Sequence, residues 1–247
     1  MYSSRMTSER TVKAVICAGG KGTRLHPLTK AINKHLLPIG KMPMILRIVD
    51  SIVASGIKDI AVVTTAEAMT QISSFLGSGL DYGCNLTYFC QDRALGIPDA
   101  ILSAQSFIGT DPFLVVLGDN VFEDNLKDDI KSFLDSNDDA KLFLSQVDNP
   151  TQFGIARIDD GKIVEIIEKP KEPPSNLCVT GIYLYSSRAL EQMKNLALSS
   201  RNEYEISDLN TQLIKENRVT FRTLDGMWLD AGTLDDYVEA FKRAACV

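Results

Sequence analysis

The sequence lacks the features of a disulfide-stapled, zinc-binding, secreted or membrane-spanning protein. Its five cysteines are odd in number and contain no Cys-x-x-Cys pair, which argues against a disulfide framework or a zinc site. The first ten residues are polar, without the apolar core of a signal peptide, and no apolar run reaches the roughly 18 residues of a membrane span. We therefore expect a cytoplasmic protein with no membrane partner.

The sequence also lacks an excess of basic residues. Lys and Arg number 26 and Asp and Glu number 32, which gives a net charge of -6. Nonspecific binding to nucleic acid requires a positively charged face, so we expect no nucleic-acid partner. The hydrophobic share of 45% and the charged share of 23% are those of an ordinary globular protein. We expect a flexible tail at residues 1–10 and a single domain at residues 11–247.

The predicted elements alternate between strand and helix in the first half of the chain. Short apolar runs predict strands, and apolar residues at helical spacing predict helices. The strands are expected at 12–17, 60–64, 86–90 and 113–117, and the helices at 44–54, 100–107 and 126–134. This alternation predicts an α/β fold with a mostly parallel sheet and helices on both faces.

Strands dominate the region after residue 140. They are expected at 141–147, 153–158, 162–168 and 179–185, and helices follow at 188–196, 206–217 and 234–244. Because few helices separate these strands, we expect a small antiparallel portion that forms a lid over one end of a mixed central sheet. Ligands of open α/β sheets bind beyond the C-terminal ends of the strands, so polar residues that follow strands are the candidate site.

A glycine-rich segment directly follows the first predicted strand. Gly19, Gly20 and Gly22 allow the backbone to curl around an anion, and Arg24 adds a forked cation suited to phosphate oxygens. Leu25 stands where the dinucleotide fingerprint needs its last glycine, and the Gly-Lys-Ser/Thr of a Walker loop is missing. The glycines alone fit an anion loop and an ordinary strand-to-helix turn equally well.

Further motifs follow this loop in a fixed order along the chain. They are KHLLP at 34–38, GDN at 118–120, FG at 153–154, EKP at 168–170, VTGIY at 179–183, EISDLN at 205–210 and WLDAGT at 228–233. Together with AGGKGTRL at 18–25, this ordered set resembles the sugar nucleotidyltransferase family, and in particular the short form of the glucose-1-phosphate thymidylyltransferases. The resemblance covers nearly the whole chain.

The resemblance implies a Rossmann-like nucleotidyltransferase fold, a homo-oligomer (dimer or tetramer) and a defined reaction. In this reaction a sugar 1-phosphate attacks a nucleoside triphosphate, in the presence of Mg²⁺, to give a nucleotide sugar and pyrophosphate. The expected substrates are dTTP and glucose 1-phosphate. UTP, another hexose or amino-sugar 1-phosphate, and a catalytically silent binding subunit on the same fold stay open as alternatives.

The same resemblance assigns roles to individual residues. The catalytic group is Arg24, Lys34, Asp119, Lys169 and Asp230. The nucleotide side is Ala18, Gly19, Gly20, Gly22, Thr23, Arg24, Gln91, Gly96 and Asp119. The side that binds the sugar phosphate is Asn120, Gly154, Glu168, Lys169, Val179 and Thr180.

Asp119 and Asp230 are the expected metal ligands. Mg²⁺ in such sites takes one or two carboxylates together with phosphate oxygens, and a carboxylate after a strongly apolar strand is costly unless it is paired. The alternative is that each aspartate caps a helix, with Asn120 and Thr233 sharing that work. His26 and His35 are expected to be structural or peripheral, because the transfer needs no further nucleophile.

Gln91 is the expected reader of the base. Thymine and uracil present an N3–H donor beside carbonyl acceptors, and an amide can accept once and donate once at that edge. Guanine offers two adjacent donors, which suit a carboxylate better. The segment at 91–100 departs from the Gly-Leu-Ala of many thymidylyltransferases, which leaves the choice between thymine and uracil open.

Overall fold

The computed structural model describes residues 11–245, so the expected tail at residues 1–10 lies outside the described residues. Within this range the strands are β1 (Lys13–Cys17), β2 (Pro38–Ile39), β3 (Met42–Pro43), β4 (Asp59–Thr64), β5 (Asn85–Cys90), β6 (Phe113–Leu117), β7 (Asn120–Phe122), β8 (Ala140–Gln146), β9 (Gly154–Asp159), β10 (Lys162–Glu168), β11 (Leu177–Tyr185), β12 (Val219–Thr223) and β13 (Trp228–Asp230). The helices are α1 (Met44–Ala54), α2 (Ala66–Leu76), α3 (Ile97–Ser103), α4 (Gln105–Ile108), α5 (Lys127–Leu134), α6 (Ser187–Met193), α7 (Ile206–Lys215) and α8 (Leu234–Ala245). Over residues 11–245, every helix is too short or too polar to cross a bilayer.

The main sheet is mixed, with parallel strands at its centre. Its order is β10-β9-β11-β6-β1-β4-β5; β8 branches from β11, and β12 pairs with β8. β1 pairs in parallel with β4 and β6, whereas β11 runs antiparallel to β6, β8 and β9. The predicted α/β fold with a mixed sheet is therefore confirmed, and the antiparallel addition lies on the side of β11.

Helices cover both faces of this sheet because successive side chains of a strand point to opposite sides. Ile16 of β1 packs in the core that contains α1, α2 and α5, whereas Val15 packs in the core that contains α3, α6 and α7. The central strands are buried on both faces, which explains their nearly continuous apolar sequences.

Several elements differ from the sequence-based expectation. The helix expected at 100–107 begins at Ile97 and is interrupted at Ala104, so that it forms α3 and α4. α2 was not predicted, because its buried residues are only Ala68, Ile72 and Leu76 in an otherwise polar stretch. β12 was also missed, and it pairs in parallel with β8 although the two are far apart along the chain.

The two strands β7 and β13 form a separate antiparallel ladder beside the main sheet. Asn120 pairs with Asp230 in this ladder. The backbone N–H of Ala231 also donates to the carbonyl of Asp119 at 2.9 Å. This ladder therefore brings the GDN and WLDAGT motifs side by side.

The buried carboxylate of Asp124 anchors one end of this ladder. It accepts hydrogen bonds from the backbone N–H groups of Asp225 (3.1 Å) and Gly226 (2.8 Å) and from Arg222 Nη2 (2.7 Å). Asp124 follows β7, and the turn at Asp225 precedes β13. The Asp124 side chain is 3% exposed, whereas that of Asp225 is 89% exposed.

We expect Asp124→Ala to lower the free energy of unfolding by about 2–3 kcal/mol, because it leaves buried donors without a partner. Chemical denaturation measures this change. Asp225→Ala is the matched control, since Asp225 contacts the same arginine from an exposed position, and we expect a change within about 0.5 kcal/mol. Equal effects of the two substitutions would contradict the role of Asp124 as an anchor.

Candidate nucleotide and metal site

The carboxylates of Asp119 and Asp230 face a common point beside Gly232. A methyl group added to Gly232 would lie 2.9 Å from Asp230 Oδ1, 3.6 Å from Asp119 Oδ2 and 3.7 Å from Arg24 Nη2. Both carboxylates and the guanidinium are thus within 4 Å of one position. The structure brings together three of the residues expected in the catalytic group, although they are distant in sequence.

The two carboxylates differ in their electrostatic environment. Burial, followed by the negative charge of Asp119, raises the pKa of Asp230 to about 6. Burial would also raise the pKa of Asp119, but the adjacent ammonium of Lys34 outweighs it and holds that pKa below the usual range. The negative charges of the two carboxylates repel each other across a small gap. A hard divalent cation such as Mg²⁺, which prefers oxygen ligands, therefore fits this pair.

Neither aspartate serves as a helix cap. At the start of α8, Thr233 Oγ1 accepts the N–H of Asp236 at 3.3 Å, which is the bond of an N-terminal cap. Asp230 Oδ1 instead accepts the N–H of Gly232 at 2.9 Å, and Asp119 Oδ1 accepts from Asn120 Nδ2 at 3.2 Å. The capping alternative is therefore wrong for both carboxylates.

Lys34 binds Asp119 directly in this structure. Its Nζ lies 2.6 Å from Asp119 Oδ2, and both side chains are largely buried, at 11% and 15% exposed. The sequence pointed to a phosphate contact for Lys34 and did not predict this ion pair. The pairing adds a fourth residue of the expected catalytic group to Asp119, Asp230 and Arg24.

His35 packs beside Gly118, the residue that precedes Asp119. It is completely buried, its Nδ1 lies 2.9 Å from Asn33 Oδ1, and a methyl group on Gly118 would lie 2.6 Å from its Cδ2. Burial, followed by the positive charge of Lys34, lowers the pKa of His35 to about 3. His35 is thus a neutral packing residue, in agreement with the structural role expected for it, and Gly118 is the residue small enough to fit against it.

A cavity of about 310 Å³ opens next to this cluster. It lies where β1 and β6 end, as expected for ligand sites of α/β sheets. Its lining contains Cys17, Gly19, Gly20, Arg24, Lys34, Gln91, Ala94, Gly96, Ile97, Ala100, Leu117, Asp119 and Glu203. Most of the residues expected on the nucleotide side are therefore brought together.

Three of the residues expected on the nucleotide side do not line this cavity. Ala18 is buried and is held by backbone bonds, since its N–H donates to Val63. Gly22 has a φ of 62° and packs against Thr29 and Lys34. Thr23 borders a second cavity on the outer side of the glycine loop. These residues shape the loop rather than face the main cavity.

The amide nitrogen of Gln91 is hydrogen-bonded to neighbouring residues. Its Nε2 donates to the carbonyl of Gly96 at 3.1 Å and to Asp99 Oδ2 at 2.8 Å. The expectation that the amide both accepts from and donates to a base therefore needs correction, because both N–H donors are used within the protein. Oε1 is directed toward Gly19, where an added methyl group would lie 3.1 Å away, so the amide offers an acceptor to the cavity.

The residues expected to bind the sugar phosphate lie on β7, β9, β10 and β11, except Lys169, which directly follows β10. Glu168 and Gly154 are partners across β9 and β10, and Glu168 Oε2 would lie 3.0 Å from a methyl group on Gly154. Lys169 is exposed, with a φ of 45° and an N–H that donates to Phe153 at 3.0 Å. Phe153, which precedes Gly154, packs against Trp228 with ring centroids 5.8 Å apart and lines a cavity together with Asp230, so this end of β9 lies near the ladder of β7 and β13.

Two members of this sugar-side set are used differently from expectation. The hydroxyl of Thr180 is buried and donates to the carbonyl of Phe143 at 2.8 Å, so its side chain is held inside the sheet. Asn120 Oδ1 accepts from the N–H of Gly181 (2.8 Å) and from Trp228 Nε1 (2.9 Å). Val179 is half-buried in β11 opposite Leu144.

Residues that the sequence did not single out contact the site. Asp99 accepts a hydrogen bond from Gln91, Trp228 donates one to Asn120, and Gly232 leaves room between the carboxylates. Trp228 and Gly232 belong to the WLDAGT motif, so the family resemblance already indicated that this segment is part of the site. Asp99 lies within the segment at 91–100 that departs from the family pattern, and that departure was its only signal.

Comparison with known proteins assigns the chain to a family. The model of the nucleotidyl transferase family matches residues 13–245. The chain belongs to this family. Its expected fold is shown as well, by a crystal structure from Bacillus anthracis that shares 43% identity and a TM-score of 0.91 over 96% of each chain. That protein is provisionally assigned as a glucose-1-phosphate thymidylyltransferase and was crystallised with sucrose.

Other proteins similar to this chain carry different names. The low-salt glycan biosynthesis nucleotidyltransferase Agl11 of Haloferax volcanii is 36% identical over 93% of this chain, which spans 65% of the length of Agl11. A glucose-1-phosphate thymidylyltransferase of Neisseria meningitidis is 37% identical over 93% of this chain and 81% of its own length. A UDP-glucose pyrophosphorylase solved with UDP-glucose shares 26% identity and a TM-score of 0.80, over 94% of this chain and 98% of that one.

We expect Gly232→Ala to weaken binding of a divalent cation at least tenfold, because the added methyl group would lie between the carboxylates. Gly232 is outside the left-handed region, so the free energy of unfolding should change by only about 1 kcal/mol. Electron paramagnetic resonance with Mn²⁺ in the presence of nucleotide measures the affinity.

Thr233→Ala is the matched control, and we expect it to change stability but not cation affinity. It removes the cap of α8 and should lower stability by about 1 kcal/mol, while cation affinity stays within about twofold because neither carboxylate is touched. Unchanged cation affinity in Gly232→Ala would show that the two aspartates do not share a cation.

Proposed function

We propose that the protein transfers a nucleotidyl group from dTTP to glucose 1-phosphate, which gives dTDP-glucose and pyrophosphate and depends on Mg²⁺. The convergence of Asp119, Asp230 and Arg24 around Gly232, at the mouth of the glycine-lined cavity, is the observation that carries this proposal. The thymidylyltransferases among its relatives support the choice of substrates.

The chemistry requires positioning and charge neutralisation more than acid–base catalysis. The attacking oxygen of a sugar phosphate is already ionised at neutral pH, so the protein needs no strong general base. It must bring two anions together and stabilise the leaving pyrophosphate. The neutral, buried His35 agrees with this requirement.

Asp119 and Asp230 would hold Mg²⁺, since their paired oxygens suit a hard cation and their mutual repulsion needs one. Bound Mg²⁺ would neutralise charge on the phosphate oxygens of the nucleotide. Lys34 would then be free to turn from Asp119 toward a phosphate, because a stronger positive charge replaces it at the carboxylate.

The remaining residues divide between the two substrates. The N–H groups at Gly19 and Gly20, together with Arg24, would bind the triphosphate. Lys169 would bind the phosphate of the sugar, and Glu168 would accept hydrogen bonds from sugar hydroxyls. The left-handed backbone at Lys169 supports a positioned role, since a non-glycine residue adopts it only when the surrounding structure imposes it.

A UTP-dependent activity is the second candidate. Thymine and uracil present the same N3–H to an acceptor such as Gln91 Oε1, and the similarity to a UDP-glucose pyrophosphorylase supports it. A catalytically silent binding subunit is less favoured, because Arg24, Asp119 and Asp230 are all in place.

Pyrophosphate release, measured for dTTP, UTP, CTP, ATP and GTP against several sugar 1-phosphates, tests the proposal. We expect the highest kcat/KM for dTTP with glucose 1-phosphate, and a loss of at least about a hundredfold when Mg²⁺ is chelated. A preference for UTP would select the second candidate. Nucleotide binding in calorimetry without any product would establish the silent subunit and overturn the proposed reaction.

We expect Lys169→Ala to lower kcat/KM about a hundredfold and to raise the KM for the sugar phosphate, because one cation on the incoming phosphate is lost. Lys171→Ala is the matched control, since Lys171 is exposed two residues further along, and its kinetics should match those of the wild type. Wild-type kinetics in Lys169→Ala would remove Lys169 from the site.

A further inference from the structure

The amide of Gln91 is held in one orientation by two oxygen atoms. Its Nε2 donates one hydrogen to the carbonyl of Gly96 and the other to Asp99 Oδ2. Rotation of the amide by half a turn would place Oε1 against both of these acceptors. The oxygen of the amide therefore stays on the side of the cavity, next to Gly19.

Asp99 contributes more to this orientation than Gly96 does. A carboxylate carries no hydrogen to donate and binds an N–H more strongly than a neutral carbonyl does. The bond to Asp99 is also the shorter, at 2.8 Å against 3.1 Å. The carbonyl of Gly96 in addition accepts the N–H of Ala100 at 3.2 Å, so it is shared between two donors.

We propose that Asp99 is a positioning residue that sets base specificity through Gln91. By fixing Oε1 toward the base, Asp99 makes the site accept a nucleotide whose base carries N3–H, as thymine and uracil do. Cytosine has an unprotonated acceptor at N3, which would face the amide oxygen and be repelled. This inference rests on the proposed function; it predicts rejection of CTP through Gln91 and leaves the choice between dTTP and UTP to other contacts.

Asp99 also contributes to the stability of α3, and the test separates this contribution from the orientation of Gln91. It is the third residue of α3, where a carboxylate stabilises the helix through its dipole. Loss of that contribution would lower the stability of the protein and would affect all nucleotides alike. A change in the ratio between nucleotides, in contrast, reports the orientation of Gln91.

Two substitutions test the proposal. Asp99→Ala removes the acceptor, and Asp99→Asn introduces an amide that can also donate to a rotated Gln91. For both variants we expect the ratio of kcat/KM for dTTP to that for CTP to fall about tenfold or more, as the loss of a charged hydrogen bond implies. The change should lie in the KM for dTTP, with kcat at saturation within about twofold of the wild type.

Asp92→Asn is the matched control, because Asp92 is an exposed carboxylate on the same loop. Its nucleotide ratio should equal that of the wild type. Chemical denaturation of each variant records any loss of stability, and equilibrium binding of dTTP and CTP gives the same ratio independently of turnover.

Each outcome is decisive. If the wild type prefers dTTP or UTP over CTP and both Asp99 variants keep that ratio, Asp99 does not position Gln91, while the proposed function stands. An equal fall in kcat/KM for every nucleotide, together with lower stability, would assign Asp99 a structural role and overturn the inference. If the wild type itself fails to prefer N3–H bases, base selection through Gln91 fails, and the inference fails with it.

Discussion

The repulsion between two partly buried carboxylates, Asp119 and Asp230, is the constraint on which the rest of the site depends. Such a pair persists only when the surrounding structure enforces it. The ladder of β7 and β13 fixes the two backbones, and Gly232 leaves space between the side chains. Lys34 and Arg24 supply positive charge nearby. This arrangement fits a cation, which would relieve the repulsion, as the proposed function requires.

The parallel strands at the centre of the sheet bring these groups to one edge. β1 and β6 are parallel neighbours, so the glycine loop that follows β1 and the GDN motif that follows β6 emerge side by side. Among the antiparallel strands beyond β6, β9 and β10 pair Gly154 with Glu168, and Phe153 packs against Trp228 of the ladder that carries Asp230. One substrate site can thus be built from segments that lie far apart in the chain.

Much of the fold could be predicted because burial leaves a clear pattern. The apolar run of β6 and the helical spacing of α1 were recognised with their observed bounds. α2 and β12 were missed because each buries only part of its length and is supported by tertiary contacts. The short ladder of β7 and β13 could not be predicted. A strand of three residues shows no periodicity, and only its pairing with a distant strand defines it.

The sequence by itself determined the order of the motifs, the family and the kinds of groups available for phosphate and metal, because motif order and residue chemistry are properties of the chain. Only the tertiary structure decided how those groups are used. Lys34 pairs with Asp119, the hydroxyl of Thr180 turns into the sheet, and the donors of Gln91 are held by Gly96 and Asp99. The reason is physical: a hydrogen bond depends on the distance and direction between groups, and folding alone sets these for residues remote in sequence.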